Sequence, residues 1–183
     1  AAVRESDVSA QSFVLALAPG VARLDKDFYP LYVANHIFGG AGLSSRLSRA
    51  VREKEGLTYG IYSYFSNSDA GDLWQVYFSA TPENTSRIMT LTAEEYGAFY
   101  RDGVGDEEVA LAKKSLMSSF NLRFASLLDI ADMLEQMQVQ VLGADFLKTR
   151  QAQVAAVTAE AVNDAVRRRM PKSFAASGCL RMP

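Results

Sequence analysis

Residues 72–80, DLWQVYFSA, alternate so that Trp74, Val76, Phe78 and Ala80 fall on one side of an extended chain. Just before them, YGIYSYFS (59–66) is rich in aromatic and β-branched residues, and NSDAG (67–71) supplies turn formers between the two runs. Together they predict a β-hairpin with one strongly apolar face. A hairpin of this kind is not stable alone, so the other segments have to cover it.

Upstream, SFVLALA (12–18) is a short apolar run closed by Pro19 and Gly20, which predicts a buried strand. Asp27 is placed to cap a helix running to about Phe38, with Pro30 in its first turn and Gly39 and Gly40 at its end. Ser44 and Ser45 are placed to cap a second helix that Gly56 terminates. From Pro82 the period changes from two to about three and a half, with Ile88, Leu91, Tyr96 and Phe99 on one side up to the break at RDGVG (101–105). A further helix opens on Asp106, Glu107 and Glu108, acids suited to its N-terminal dipole, and carries Val109, Ala112, Leu116, Phe120 and Phe124. Leu127, Ile130, Leu134, Met137 and Val141 form a third helical stripe, expected to be core packing. Thr158 caps a helix ending in Arg167, Arg168 and Arg169, read as a solvated C-terminal turn, and SFAASGCL (173–180) predicts a last strand. Helices cluster in sequence and the central strands are joined by a hairpin. The expected fold class is therefore α+β, a mostly antiparallel sheet with helices on one face, in a single domain over residues 1–183 with no repeat or linker.

Composition narrows the function classes. With 49% hydrophobic and 22% charged residues the chain is globular rather than disordered. A net charge of −2 gives it no general attraction to nucleic acid or an anionic membrane. No apolar run approaches the roughly 20 residues of a spanning helix, so no membrane insertion is expected. Cys179 is the only cysteine, which excludes an internal disulfide, and a buried small side chain is its expected role. His36 is the only histidine, expected to pack or cap near a helix end, and a zinc motif with histidines one turn apart cannot be built from it. The start at Ala1 without Met fits a processed product or a piece of a longer protein. The compartment stays open, bacterial cytoplasm and periplasm both fitting.

Few motifs could carry chemistry. FGGAGLSSR (38–46) is glycine-rich but matches neither GxxxxGK[ST] nor GxGxxG and follows a helix where those follow a strand; its glycines are expected to let two helices meet. Glu94 and Glu95 leave their helix on different sides and cannot face one another. Arg52 and Tyr59 remain, on either side of the Gly56 hinge, where a helix end and a strand start can present a guanidinium and a phenol to one ligand.

The string NHIFGGAGLSSRLSRAVREKEGLTYGIYSYF (35–65) resembles the signature of the second, non-zinc domain of the M16 (pitrilysin, insulinase and processing peptidase) metallopeptidases. The resemblance extends through QSFVLALAPG (11–20), TPENTSRIM (81–89), DEEVALAKKSLMSSFNLRF (106–124) and VTAEAVNDAVRRRM (157–170). It implies a LuxS/MPP-like metallohydrolase fold and a clamshell of two similarly folded domains around a chamber. Zinc is then expected on an N-terminal HxxEH-bearing domain or subunit and no cofactor in this chain, with a peptide as substrate and homo- or heterodimeric pairing left open. It also implies that Tyr59 donates to the scissile carbonyl as it becomes an oxyanion and that Arg52 binds and orients the peptide backbone. Since HxxEH is absent, the chain resembles half of a site and is expected to be inactive alone. The alternative is a domain of a catalytically silent homologue serving as scaffold or partner subunit. A nucleotide-binding module would rest on the glycine loop alone.

Overall fold

The computed structural model describes residues 11–68, 70–122 and 124–173. Three strands, β1 (Ser12–Pro19), β2 (Ile61–Ser68) and β3 (Gly71–Ala80), form an antiparallel sheet in the order β1-β3-β2. The alternation of DLWQVYFSA is realised directly: Trp74, Val76, Phe78 and Ala80 are all buried. Against that face lies α1 (Phe28–Asn35), which continues as a π-helical turn, His36–Gly40. A second π-helix, Ser48–Glu53, follows, and α2 (Pro82–Asp102) and α3 (Asp106–Leu122) complete the layer. Phe38 meets Trp74, Tyr96 and Phe99 with ring centroids 5.3–5.7 Å apart, an aromatic cluster joining the π-helical turn, β3 and α2.

The glycine pair after α1 has a different cause from the one its sequence suggests. A Cβ on Gly39 would sit 2.5 Å from Ser63 Oγ and 2.8 Å from Ser63 N, so this residue must be glycine for the π-helical turn to lie on strand β2. Asn35 completes the contact. Its Oδ1 accepts from Trp74 Nε1 (2.8 Å) and Ser63 Oγ (2.7 Å), and its Nδ2 donates to Ser63 O (3.1 Å).

Several expectations are corrected. Asp27 precedes α1 but makes no side-chain cap; its carboxylate accepts from Arg168 Nη2 (2.9 Å) and Arg169 Nε (3.1 Å) at the end of α6 (Ala159–Arg169). Arg169 also pairs with Asp25. These two arginines are therefore half-covered clamps and not a freely solvated turn; Arg167 alone stays in its own helix, near Asp164. Glu108 does more than favour a dipole, because it accepts both Nε and Nη2 of Arg46 (2.8 and 2.6 Å) and ties the segment before the second π-helix to α3. Ser45 caps Ser48 N through its Oγ, whereas Ser44 lies in a 3-10 turn.

Of the third apolar stripe only Met137 is core. In α4 (Leu127–Val139) the buried residues are Met133 and Met137, packed with Phe120, Leu142, Phe146 and Leu147, while Leu127 and Leu134 are exposed. Val141 lies beyond the helix at φ 53° and is exposed. Helix α3 stops at Leu122, so Phe124 is outside it, although its ring still meets Phe120 edge-on at 5.3 Å. Helix α5 (Phe146–Ala156) was not predicted. The expected last strand falls beyond Ser173, and with Cys179 lies outside the described residues.

Candidate functional site

Arg52 occupies the last turn of the π-helix Ser48–Glu53 and Tyr59 lies two residues before β2, an edge strand of the sheet. The chain between them is fixed by its backbone. Gly56 N donates to Arg52 O (3.0 Å) and Leu57 N to Val51 O (3.3 Å), closing the helix, while Gly56 takes φ +65°. No atom lies within 4 Å of a Cβ built on Gly56, so glycine is needed there for its left-handed backbone and not for space.

Thr58 fixes the other end. Buried at 8% exposure, it donates through Oγ1 to Ser79 O (2.6 Å) and accepts from Gly60 N (3.2 Å), pinning the loop to β3. Its neighbour Tyr59 is consequently held on a fixed backbone with its ring 91% exposed. Sequence reasoning singled out Tyr59 but missed Thr58, whose only local sign is a hydroxyl two residues before a glycine. It also missed Glu55, which meets Arg87 of α2 at 3.3 Å and braces the helix end.

Among the described residues, neither Arg52 nor Tyr59 has a side-chain hydrogen bond or ion pair; Tyr59 is open and Arg52 half-buried. A phenol and a guanidinium without internal partners, on an edge with a rigid backbone, are donors available to an outside acceptor. His36 takes no part. It sits in the π-helical turn with Nε2 buried and unpartnered, and burial lowers its pKa, favouring the neutral ring. The described residues contain no group of three or more His, Cys, Asp or Glu side chains able to hold a metal ion, and no helix among them is long and apolar enough to cross a membrane.

The chain is similar to several known proteins. The sequence is 35% identical over 109 residues to the uncharacterized zinc protease SCO5738 of Streptomyces coelicolor, covering 60% of this chain and 24% of that protein. It is 31% identical over 143 residues to the uncharacterized zinc protease Mb2805c of Mycobacterium bovis, covering 78% of this chain and 32% of that protein. The matched stretch therefore spans a quarter to a third of these relatives. Among solved structures, a peptidase M16 inactive domain from Pseudomonas fluorescens superposes with TM-score 0.79 at 28% identity, over 91% of this chain and 39% of that one. A protease from Helicobacter pylori shares the fold at TM-score 0.84 and 16% identity, over 99% of this chain and 44% of that one. The family described as "Peptidase M16 inactive domain" matches residues 2–116, and with that match the chain belongs to the M16 family as an inactive, C-terminal-type domain of zinc protease-like proteins.

Proposed function

We propose that residues 1–183 form one domain that serves as the non-zinc half of an M16 metallopeptidase clamshell, binding peptide and stabilising the oxyanion of peptide-bond hydrolysis. The observation that carries this reading is the pinned but open Tyr59: its backbone is fixed through Thr58, and its hydroxyl has no partner among the described residues. A donor held in place before the reaction spends no reorganisation when negative charge develops on a carbonyl oxygen. Arg52, at the other end of the same segment, holds a peptide carbonyl or carboxylate in the ground state and so orients the substrate.

The chain's own side chains do not fit a zinc site, since the described residues offer no three-ligand cluster. The metal and the general base then belong to an N-terminal HxxEH-bearing domain or subunit. The purified chain, dialysed after exposure to equimolar zinc, is expected to retain far less than one zinc per chain; one tightly held ion by elemental analysis would overturn this division of labour.

Arg52→Ala in the complete protein tests the substrate-holding role. A charge-assisted hydrogen bond contributes about 1.5–3 kcal/mol, so kcat/KM for a peptide is expected to fall at least about tenfold, with KM rising. A kcat/KM within twofold of wild type at equal zinc content excludes Arg52 from binding substrate.

A further inference from the structure

A buried arginine ordinarily faces a carboxylate, because a cation taken out of water loses more in hydration than neutral contacts return. Here the order is inverted. Exposed arginines such as Arg87, Arg101 and Arg167 each have a carboxylate partner. Arg150, 5% exposed, and Arg23, partly exposed, have none among the described residues. Arg150 Nη2 donates to Tyr32 Oη (3.3 Å), and its Nη1 is buried without a partner. The two guanidiniums are set in one closed ring of aromatic contacts. Arg23 Cζ lies 4.0 Å from the Phe28 ring centroid and 5.1 Å from that of Phe146. Phe28 stacks on Tyr32 at 5.7 Å, and Arg150 Cζ lies 5.7 Å from the Tyr32 centroid and 4.0 Å from that of Phe120. Phe120 meets Phe146 edge-on at 6.5 Å, which closes the ring. Aromatic faces offset part of the desolvation of a cation but bring no net negative charge. Two positive charges therefore remain on the seam between the main core, which includes Phe28, and the smaller cluster of Phe120 and Phe146. Burial is the main cause that holds Arg23 below its usual pKa, and the charge of Arg150 acts in the same direction.

We infer that Arg23, Arg150 and the Tyr32 hydroxyl form a binding site for one small oxyanion, a phosphate or a carboxylate. The site uses none of the residues proposed to act on peptide and does not depend on that reading. The groups it offers are all donors: Arg150 Nη1 lacks an acceptor, the Arg23 guanidinium lacks an anion, and Tyr32 accepts from Arg150 through its oxygen, which leaves its O–H to donate. A guanidinium matches two oxygens of a single carboxylate or phosphate, and an oxyanion has acceptors to spare for the phenol. A water molecule would satisfy Nη1 but leave both charges uncompensated. Arg23, in the connection from β1 to α1, is the member that solvent reaches, and Arg150, in α5, is the inner one. An oxyanion shared by the two draws that connection and α5 together across the seam.

The test is thermal unfolding of the 183-residue chain in a titration with inorganic phosphate, replacing chloride at constant pH and ionic strength. At about 100 times the dissociation constant the midpoint is expected to have risen by about 5–10 °C, along a saturating curve. Arg150→Met and Arg23→Gln are expected to lose that rise, while Arg101→Gln, at an exposed ion pair, keeps it. Should Arg150→Met fail to fold, Arg23→Gln at its partly exposed position carries the comparison. Phosphate also stabilises proteins generally through exclusion from their surfaces, so a rise of equal size in wild type and variants overturns the inference, as does no rise in the wild type. The same titration on the complete protein separates the two sources of the oxyanion. A rise that persists there assigns the site to a free anion, and a rise confined to the 183-residue chain assigns it to a carboxylate that the rest of the complete protein supplies.

Discussion

Tyr59→Phe in the complete protein is expected to lower kcat by about 10²-fold or more, the loss that follows removal of one preorganised oxyanion donor. The substitution deletes a hydroxyl and keeps the ring. Since the ring is 91% exposed and the hydroxyl bonds to nothing among the described residues, stability is expected to change by less than about 0.5 kcal/mol. KM should move little, because the hydrogen bond strengthens only as the carbonyl oxygen becomes negative. The measurement is steady-state peptide cleavage at matched zinc content. Equal kcat in wild type and variant rejects the oxyanion role and leaves Tyr59 as an exposed tyrosine before an edge strand, without part in the reaction.

The largest effect on stability is expected at Asn35. Asn35→Leu keeps the number and branching of the side-chain heavy atoms but withdraws the acceptor used by Trp74 Nε1 and Ser63 Oγ and the donor that reaches Ser63 O. Burying a polar group short of its partner costs about 1–3 kcal/mol, and Trp74 Nε1, Ser63 Oγ and Ser63 O each lose one at residues no more than 2% exposed. A loss of about 3 kcal/mol or more is therefore expected, a large part of the roughly 5–15 kcal/mol that holds a typical domain. Urea unfolding followed by Trp74, the sole tryptophan, reads this at the affected site. Adding Ser63→Ala should recover at least about 1 kcal/mol, because removing both partners is less costly than stranding one. A single variant within 1 kcal/mol of wild type, or a double variant no better than the single, refutes the network.

The hairpin was legible because its information is local: alternation over nine residues states which side is buried, and NSDAG states where the chain turns. Helix ends at Gly56 and Gly103 were legible for the same reason, both having φ near +70°. Gly39 was misread because its cause, the backbone of Ser63, lies 24 residues later in the chain. Helix α5 left no periodic trace, since one of its two buried residues is Arg150, at 5% exposure. Its guanidinium lies 4.0 Å from the Phe120 ring centroid and bonds to Tyr32 Oη. A cation inside an aromatic setting reverses the pattern that sequence reading depends on. In α4 the predicted stripe turns Leu127 and Leu134 outward and buries only Met137, beside Met133, and the position of Phe120 decides between the two sides. Of the candidate site, Arg52 and Tyr59 were singled out through their motif, whereas Thr58 needed Ser79, 21 residues away, to disclose that it pins the loop.

The clamp of Asp27 by Arg168 and Arg169 joins residues 141 and 142 positions apart. During synthesis the carboxylate therefore waits, buried in prospect and unpaired in fact, until α6 has left the ribosome. Sheet and early helices can collapse before then, at a rate of elongation of about 5–20 residues per second, but α1 cannot reach its final environment. Completion of this packing is thus tied to synthesis through α6, and ribosome-stalled chains ending before α6 should remain protease-sensitive around Asp27 even where the hairpin is already protected.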